Sequence, residues 1–250
     1  MSETPTELVH YDVADGVATI TLDSPHNRNA LSRQLVTELV DRLERAAKDD
    51  AARVVVLRSA DRVFCSGADL AEAAQGGVAG AEGLVGVLRG ILTHPKPVVT
   101  RIVGPVRAGG LGIVGASDIV ICGDDVTFAL TESRLGLAPA MISLTLLPRM
   151  TSRAAADTFL TGRTFTADEA AAMGLVTRTA PADQVDTAVA ASVGELLKAH
   201  PQGLAESKKV LSRDIVAYLD ANAEEMAALS ARLFASDAAK EAMLAFLSKK

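Results

Sequence analysis

The sequence predicts an α/β fold with a helical C-terminal region, and three observations carry that prediction. Short apolar, β-branched runs alternate with stretches of three- and four-residue apolar spacing through the first three-quarters of the chain. From about Pro181 onward only helical spacing remains. The composition, 250 residues with 49% hydrophobic and 22% charged, suits a chain able to bury one large core or one and a half. We place the core in residues 1–194 and the helical region in 195–250.

Each element has its local reason. Residues 1–7 are polar and expected to be loose. Leu8 to Leu22 reads as a hairpin, with Asp15-Gly16 as the tight turn between Val9–Val13 and Val17–Leu22. Ser24 to Leu31 is loop chemistry. Ser32 caps a helix whose apolar face is Leu35, Val36, Leu39, Val40, Leu43 and Ala47, and Asp49-Asp50 ends it. Arg53 to Leu57 is a buried strand. Ser59 to Leu70 is a strand end, a loop and a helix start. Residues 71–83 are rich in Ala and Gly, and a lid or a loosely ordered helix is expected there. Leu84 to Thr93 is a helix closed by His94-Pro95-Lys96-Pro97.

The next stretch organises the chain. Pro97 to Val103 is an apolar run that leads to a glycine corner, Ala108-Gly109-Gly110-Leu111-Gly112. A second apolar run, Ser117 to Ile121, precedes Phe128-Ala129-Leu130 and a lone acid, Glu132. Pro148 to Gly162 is a helix. Thr166-Ala167-Asp168-Glu169 is a capping box for a short helix that ends at Gly174, ahead of a strand Leu175–Thr177. The last quarter divides into helices Ala182–Ala199, Gly203–Tyr218, Ala221–Ala235 and Asp237–Leu247. Met226, Leu229, Leu233 and Phe234 form an apolar face for a partner subunit or for the chain's own core, and spacing does not choose between them.

Composition excludes several classes. With a net charge of −6, 3% aromatics and no Trp, neither phosphate neutralisation nor base stacking is supplied, so no nucleic-acid partner is expected. No stretch approaches the ~20 apolar residues of a membrane span, and no basic segment followed by an apolar run opens the chain. A cytoplasmic protein without a membrane partner is the expectation. Cys65 and Cys122 read as two buried thiols rather than a disulfide framework. His10, His26, His94 and His200 are scattered, so no metal site is expected. There is no G-x-S-x-G, no G-x-G-x-x-G and no P-loop.

Two loops remain, each ending a strand and opening a helix. One holds Ser66-Gly67-Ala68-Asp69 and the other Ala108-Gly109-Gly110. Each could be a packing corner where glycine lets backbones touch. Converging on one point, they would instead aim two backbone N–H groups at a developing negative oxygen. An acid from a later turn could then move a proton nearby.

These residues, in this order, carry a resemblance. Phe64 to Leu70, Lys96-Pro97-Val98-Val99 leading to Gly109-Gly110, and Ser117-Asp118-Ile119 are three of its pieces. Phe128 to Glu132 with Leu135 to Pro139, and Leu160-Thr161-Gly162 with Glu169-Ala170 and Gly174-Leu175-Val176, complete it. The chain resembles the crotonase (enoyl-CoA hydratase/isomerase) superfamily along nearly its whole length. The resemblance implies a crotonase-like spiral of ββα turns with a C-terminal helical trimerisation region, and a homotrimer or dimer of trimers. It implies an acyl-CoA thioester substrate and no separate cofactor, coenzyme A being part of the substrate. Ala68 and Gly109 would hold the thioester oxygen and Glu132 would be the catalytic acid-base. Arg28, Ala30, Ser66, Asp69, Leu70, Gly110 and Lys249 would bind the rest of the substrate.

The chain departs from the family's pattern at three places. Gly112 stands where two-glutamate hydratases carry their first acid. A hydratase working through Glu132 alone is the leading expectation. A Δ3,Δ2-enoyl-CoA isomerase and a non-catalytic acyl-CoA-binding homologue are the alternatives. Arg107 replaces an apolar residue, and an ion pair with an acid such as Asp118 or Glu132 is expected for it, ahead of a carboxylate on the acyl chain. Met141-Ile142-Ser143 replaces a glycine-rich turn, which predicts a differently shaped pocket floor.

Overall fold

A computed structural model describes residues 6–69, 72 and 80–247. Nine strands form two sheets among these residues. The larger sheet has the order β1-β2-β3-β4-β6-β9. β1 (Val9–Ala14) and β2 (Val17–Leu22) are the antiparallel hairpin, with Asp15 and Gly16 at positive φ in the turn. β3 (Val54–Ser59), β4 (Val98–Ile102), β6 (Ile119–Gly123) and β9 (Arg178–Ala180) add in parallel. The continuous apolar, β-branched character of β3, β4 and β6 follows from burial on both faces. The smaller sheet, β5-β7-β8, joins β5 (Val106–Arg107) in parallel to β7 (Thr127–Ala129), which pairs antiparallel with β8 (Thr164–Thr166).

Helices fill the spaces between. α1 (Arg33–Lys48) starts where the Ser32 side chain accepts the Leu35 N–H, and it buries Leu35, Val36, Leu39 and Leu43. α2 (Gly80–Thr93) and α3 (Gly109–Ala116) follow, α3 being buried along its whole length. α4 (Ala140–Leu146) packs on α3, and α5 is Ser152–Thr161. α6 (Ala167–Ala172) carries the predicted capping box between Thr166 and Glu169. α7 (Val185–Lys198), α8 (Pro201–Phe234) and α9 (Asp237–Leu247) complete the chain.

Four expectations are corrected. The stretches Gly203–Tyr218 and Ala221–Ala235 form one helix, because the Leu219-Asp220 junction holds no breaker. That helix buries Lys208, Ser212, Ile215 and Leu219, a three- and four-residue stripe, on α2 and α4. The helix expected from Pro148 begins only at Ser152, since Pro148 follows the end of α4. The last strand is Arg178–Ala180 rather than Leu175–Thr177, whose apolar residues are core plugs ahead of the pairing segment. α4 itself, over the Met141-Ile142-Ser143 stretch, has no counterpart in the elements read from sequence. The apolar face of α8 packs on its own chain: Met226 joins the main core, and Leu233 and Phe234 join a small cluster with Leu137, Ala239 and Met243. The expectation for residues 71–83 falls mainly outside the described residues.

Candidate active site

The two loops singled out from sequence do converge. The first is tied to its neighbours by backbone bonds: Leu31 N–H to Gly67 O at 2.8 Å, Ser66 N–H to Arg28 O at 3.1 Å and Arg107 N–H to Cys65 O at 2.9 Å. A side chain at Gly67 would come 2.8 Å from the Cβ of Ala108, and one at Gly109 would come 3.9 Å from the Ala68 nitrogen. At Gly67, whose φ is 99°, only glycine permits that approach, and at Gly109 a side chain would meet Leu31 Cδ1 at 2.6 Å. The N–H groups of Ala68 and Gly109 meet no acceptor among the described residues. Ala108, between the sheet and α3, has φ 46° and ψ −119°, a region that strains any residue bearing a Cβ.

The loop that precedes α1 supports this floor. Arg28 and Asn29 both have positive φ, and the buried Asn29 fixes them. Its Oδ1 accepts the Ser24 N–H at 2.7 Å and its Nδ2 donates to Val63 O at 2.9 Å. Ser66 donates through Oγ to Asn27 O at 3.0 Å, and Asn27 donates to Asp69 at 3.0 Å.

Glu132 opens a 3-10 turn, Glu132–Leu135, immediately after the smaller sheet. Gly136 ends the turn at φ 69°, its N–H donating to Glu132 O, and the Leu137 N–H donates to the same oxygen at 2.9 Å. The carboxylate Oε2 is buried and has no hydrogen-bond partner. Burial pushes the carboxyl up to about 7, and a bond from its own backbone N–H pulls back only partly.

Glu132, Ala68 and Gly109 line one cavity of about 670 Å3. Arg28, Ala30, Ser66 and Asp69 line it too. Gly110 does not: the space of its missing side chain faces Cys65 and Val106, so it seats α3 on the core. Leu70 and Lys249 lie outside the described residues. Among the wall residues not read from sequence as site residues are Leu84, Met141, Ile142, Ser230 and Phe234. Only the unusual Met141-Ile142-Ser143 segment signalled any of them. Phe234 needed the tertiary fold, because α8 brings it back over the core.

The expected ion pair of Arg107 is overturned. Its guanidinium folds back on the smaller sheet and donates to Val106 O, Thr127 O and Thr127 Oγ1 at 2.9, 2.6 and 3.0 Å. Asp118 is taken instead by Lys208, at 2.6 Å. Arg107 and Ala129 are cross-strand partners, which aims the side chain towards Thr127 on that face.

Gly112 sits behind the cavity wall. A Cβ there would lie 2.9 Å from Ile142 Cγ2 and 3.3 Å from Leu88 Cδ2. The space next to the family's first-acid position is therefore packed with hydrocarbon. Among the described residues no three His, Cys, Asp or Glu side chains converge on a metal position, and no helix is long and apolar enough to cross a membrane.

Residues 12–250 match the family model described as "Enoyl-CoA hydratase/isomerase". The chain belongs to that family. A crystal structure of an enoyl-CoA hydratase from Mycobacterium avium is 46% identical, with 97% of each chain covered and a TM-score of 0.91. One from Mycobacterium avium subsp. paratuberculosis K-10 is 27% identical, with 98% of each covered and a TM-score of 0.88. A hydroxycinnamoyl-CoA hydratase-lyase from Pseudomonas fluorescens is 31% identical over 215 residues, 82% of this chain and 78% of that protein. The two sheets and long helical end are thus the crotonase-like α/β fold that the sequence resemblance implied.

Proposed function

We propose that the protein is an enoyl-CoA hydratase that uses Glu132 as its single acid-base. One observation carries the reading: a buried carboxylate whose Oε2 has no hydrogen-bond partner shares a cavity with two backbone N–H groups that meet no acceptor among the described residues. The thioester oxygen of a 2-enoyl-CoA accepts the Ala68 and Gly109 N–H groups. Glu132 takes a proton from water as the water oxygen bonds to C3. The C2=C3 electron pair moves towards the thioester, and its oxygen gains the negative charge that the two donors stabilise. Each such donor is worth about 3 kcal/mol in the transition state. The enolate then collapses and C2 takes the proton back from Glu132, so H and OH have added across the double bond. A carboxyl poised near 7 suits both halves of that exchange at neutral pH.

Arg28 meets the coenzyme A phosphates in this reading, and the Ser66–Leu70 backbone lies along the adenine and pantetheine. Lys249 supplies a further cation to the coenzyme, and the assembly is a homotrimer or dimer of trimers. The hydrocarbon packing around Gly112 favours a second reading, a Δ3,Δ2-enoyl-CoA isomerase. In that reading Glu132 takes the C2 proton of a 3-enoyl thioester and returns it at C4. Absorbance separates the two. Hydration of crotonyl-CoA bleaches the conjugated enoyl thioester band, whereas isomerisation of a 3-enoyl-CoA creates it. Glu132→Gln should slow the active reaction by about 10^2- to 10^4-fold. An unchanged rate with tight thioester binding would leave only a non-catalytic acyl-CoA-binding protein.

A further inference from the structure

The carboxylate of Glu132 is not oriented by any partner at Oε2, so its position is inherited from the turn that carries it. That turn is gripped from two sides. On one side Arg134 donates through Nε to Thr161 O at 2.9 Å, at the end of α5. On the other, Gly136 lies flat on the start of α9: a side chain there would come 3.2 Å from Ala239 N and 3.4 Å from Ala238 O. Leu137, Ala239 and Met243 are buried together, with Leu135, Leu233 and Phe234 packed around them. Among the described residues this cluster is separate from the main core. The corner between α8 and α9 is itself pinned, Ser236 Oγ donating to Leu233 O at 2.6 Å and accepting the Ala239 N–H at 3.3 Å.

We infer that Ala239 is a positioning residue for Glu132, and that α9 acts as the outer jaw of a clamp whose inner jaw is the end of α5. Ala239 is completely buried in the cluster with Leu137 and Met243, and its backbone nitrogen lies against Gly136. The clamp also keeps water from the acid. Charge plays no comparable part, since burial is the leading cause of the raised carboxyl and no charged neighbour contributes. Of the charged groups on the packed elements, Arg134 is bound to Thr161, Arg163 to Asp157 and Glu169, and Lys240 to Asp237.

The turnover arm of the test rests on the hydratase reading, and a titration arm does not. Full-length wild type, Ala239→Leu and Met243→Ala are compared, with Leu244→Gln as the control on the exposed side of α9. The Glu132 carboxyl is titrated by 13C NMR and assigned by its loss in Glu132→Gln. Each is assayed on crotonyl-CoA, and circular dichroism confirms that each folds. Widening the clamp should lower the Glu132 midpoint by about one unit or more as water enters. It should also cut kcat about tenfold or more, with KM within about twofold. Leu244→Gln should match wild type. If the folded Ala239→Leu and Met243→Ala variants titrate and turn over as wild type does, α9 is only a cover and the inference is overturned. Should Ala239→Leu fail to fold, Met243→Ala decides alone. A wild type inert towards crotonyl-CoA removes the hydratase reading, while the titration still decides the clamp.

Discussion

Burial alone holds the Glu132 carboxyl protonated to about pH 7, and that has a thermodynamic cost. Its folded-state pKa lies above the ordinary value of 4.5, so the native state binds this proton more tightly than the unfolded chain does. The contribution to stability is complete below pH 4.5 and is lost as pH rises through about 7. Gln at this position cannot ionise. Denaturant unfolding should therefore show Glu132→Gln gaining on wild type by about 3 kcal/mol between pH 4.5 and 8, while activity falls. A stability difference that ignores pH would contradict a buried, ionising acid. Ala108 shows a second local cost at the same site. Its φ of 46° with ψ of −119° is comfortable only for glycine, so Ala108→Gly should stabilise the fold by about 1 kcal/mol, read as a higher Tm.

At the scale of elements, α3 and α4 touch through glycines. Gly112 faces Ile142, and a side chain at Gly115 would come 3.0 Å from Thr145 O. The Thr145 hydroxyl also donates to Gly112 O at 2.9 Å. Gly112→Glu, which puts an acid at the family's first position, should cost about 3 kcal/mol or more, because it overpacks and buries a charge together. Adding Ile142→Ala should restore part of that loss, measurable as a rise in Tm over the single variant. Most strands and helices that frame the site were legible in the sequence, because period-2 and period-3.6 patterns and the turn residues carried their own physics. The Asp15-Gly16 turn, the Ser32 cap and the Thr166–Glu169 capping box are examples. The Ala68–Gly109–Glu132 constellation was legible through the resemblance. What sequence could not show was tertiary. The short strands β5 and β8 have two or three residues and no period to read. Arg107 found neutral acceptors, because the smaller sheet aims it at Thr127 rather than at an acid. Phe234 reached the cavity wall only through the length and direction of α8.

At the scale of the molecule, one buried lysine ties the helical end to the sheet. Lys208 of α8 is 4% exposed and donates to Ile91 O at 2.8 Å, Lys96 O at 3.2 Å and Asp118 Oδ2 at 2.6 Å. Asp118 in turn accepts the Val98 N–H at 2.7 Å, at the start of β4. Desolvation holds the Lys208 ammonium below the usual lysine range, and Asp118 opposes that shift. Removing the cation leaves two carbonyls and a carboxylate short of a donor. Lys208→Met should destabilise the chain by about 2–4 kcal/mol in denaturant unfolding. Pairing it with Asp118→Asn should lose much less than the sum of the two single changes, because the second change removes the orphaned charge.

The grip of α9 on the Glu132 turn also bears on how the molecule is made. Synthesis runs from the N-terminus, so the turn and both sheets leave the ribosome well before Ala239 and Met243 do. A nascent chain can have both loops and their two N–H groups in place while the cavity lacks its wall from α8 and the acid its outer support. On that account the proposed chemistry is completed late in translation, after the folded core.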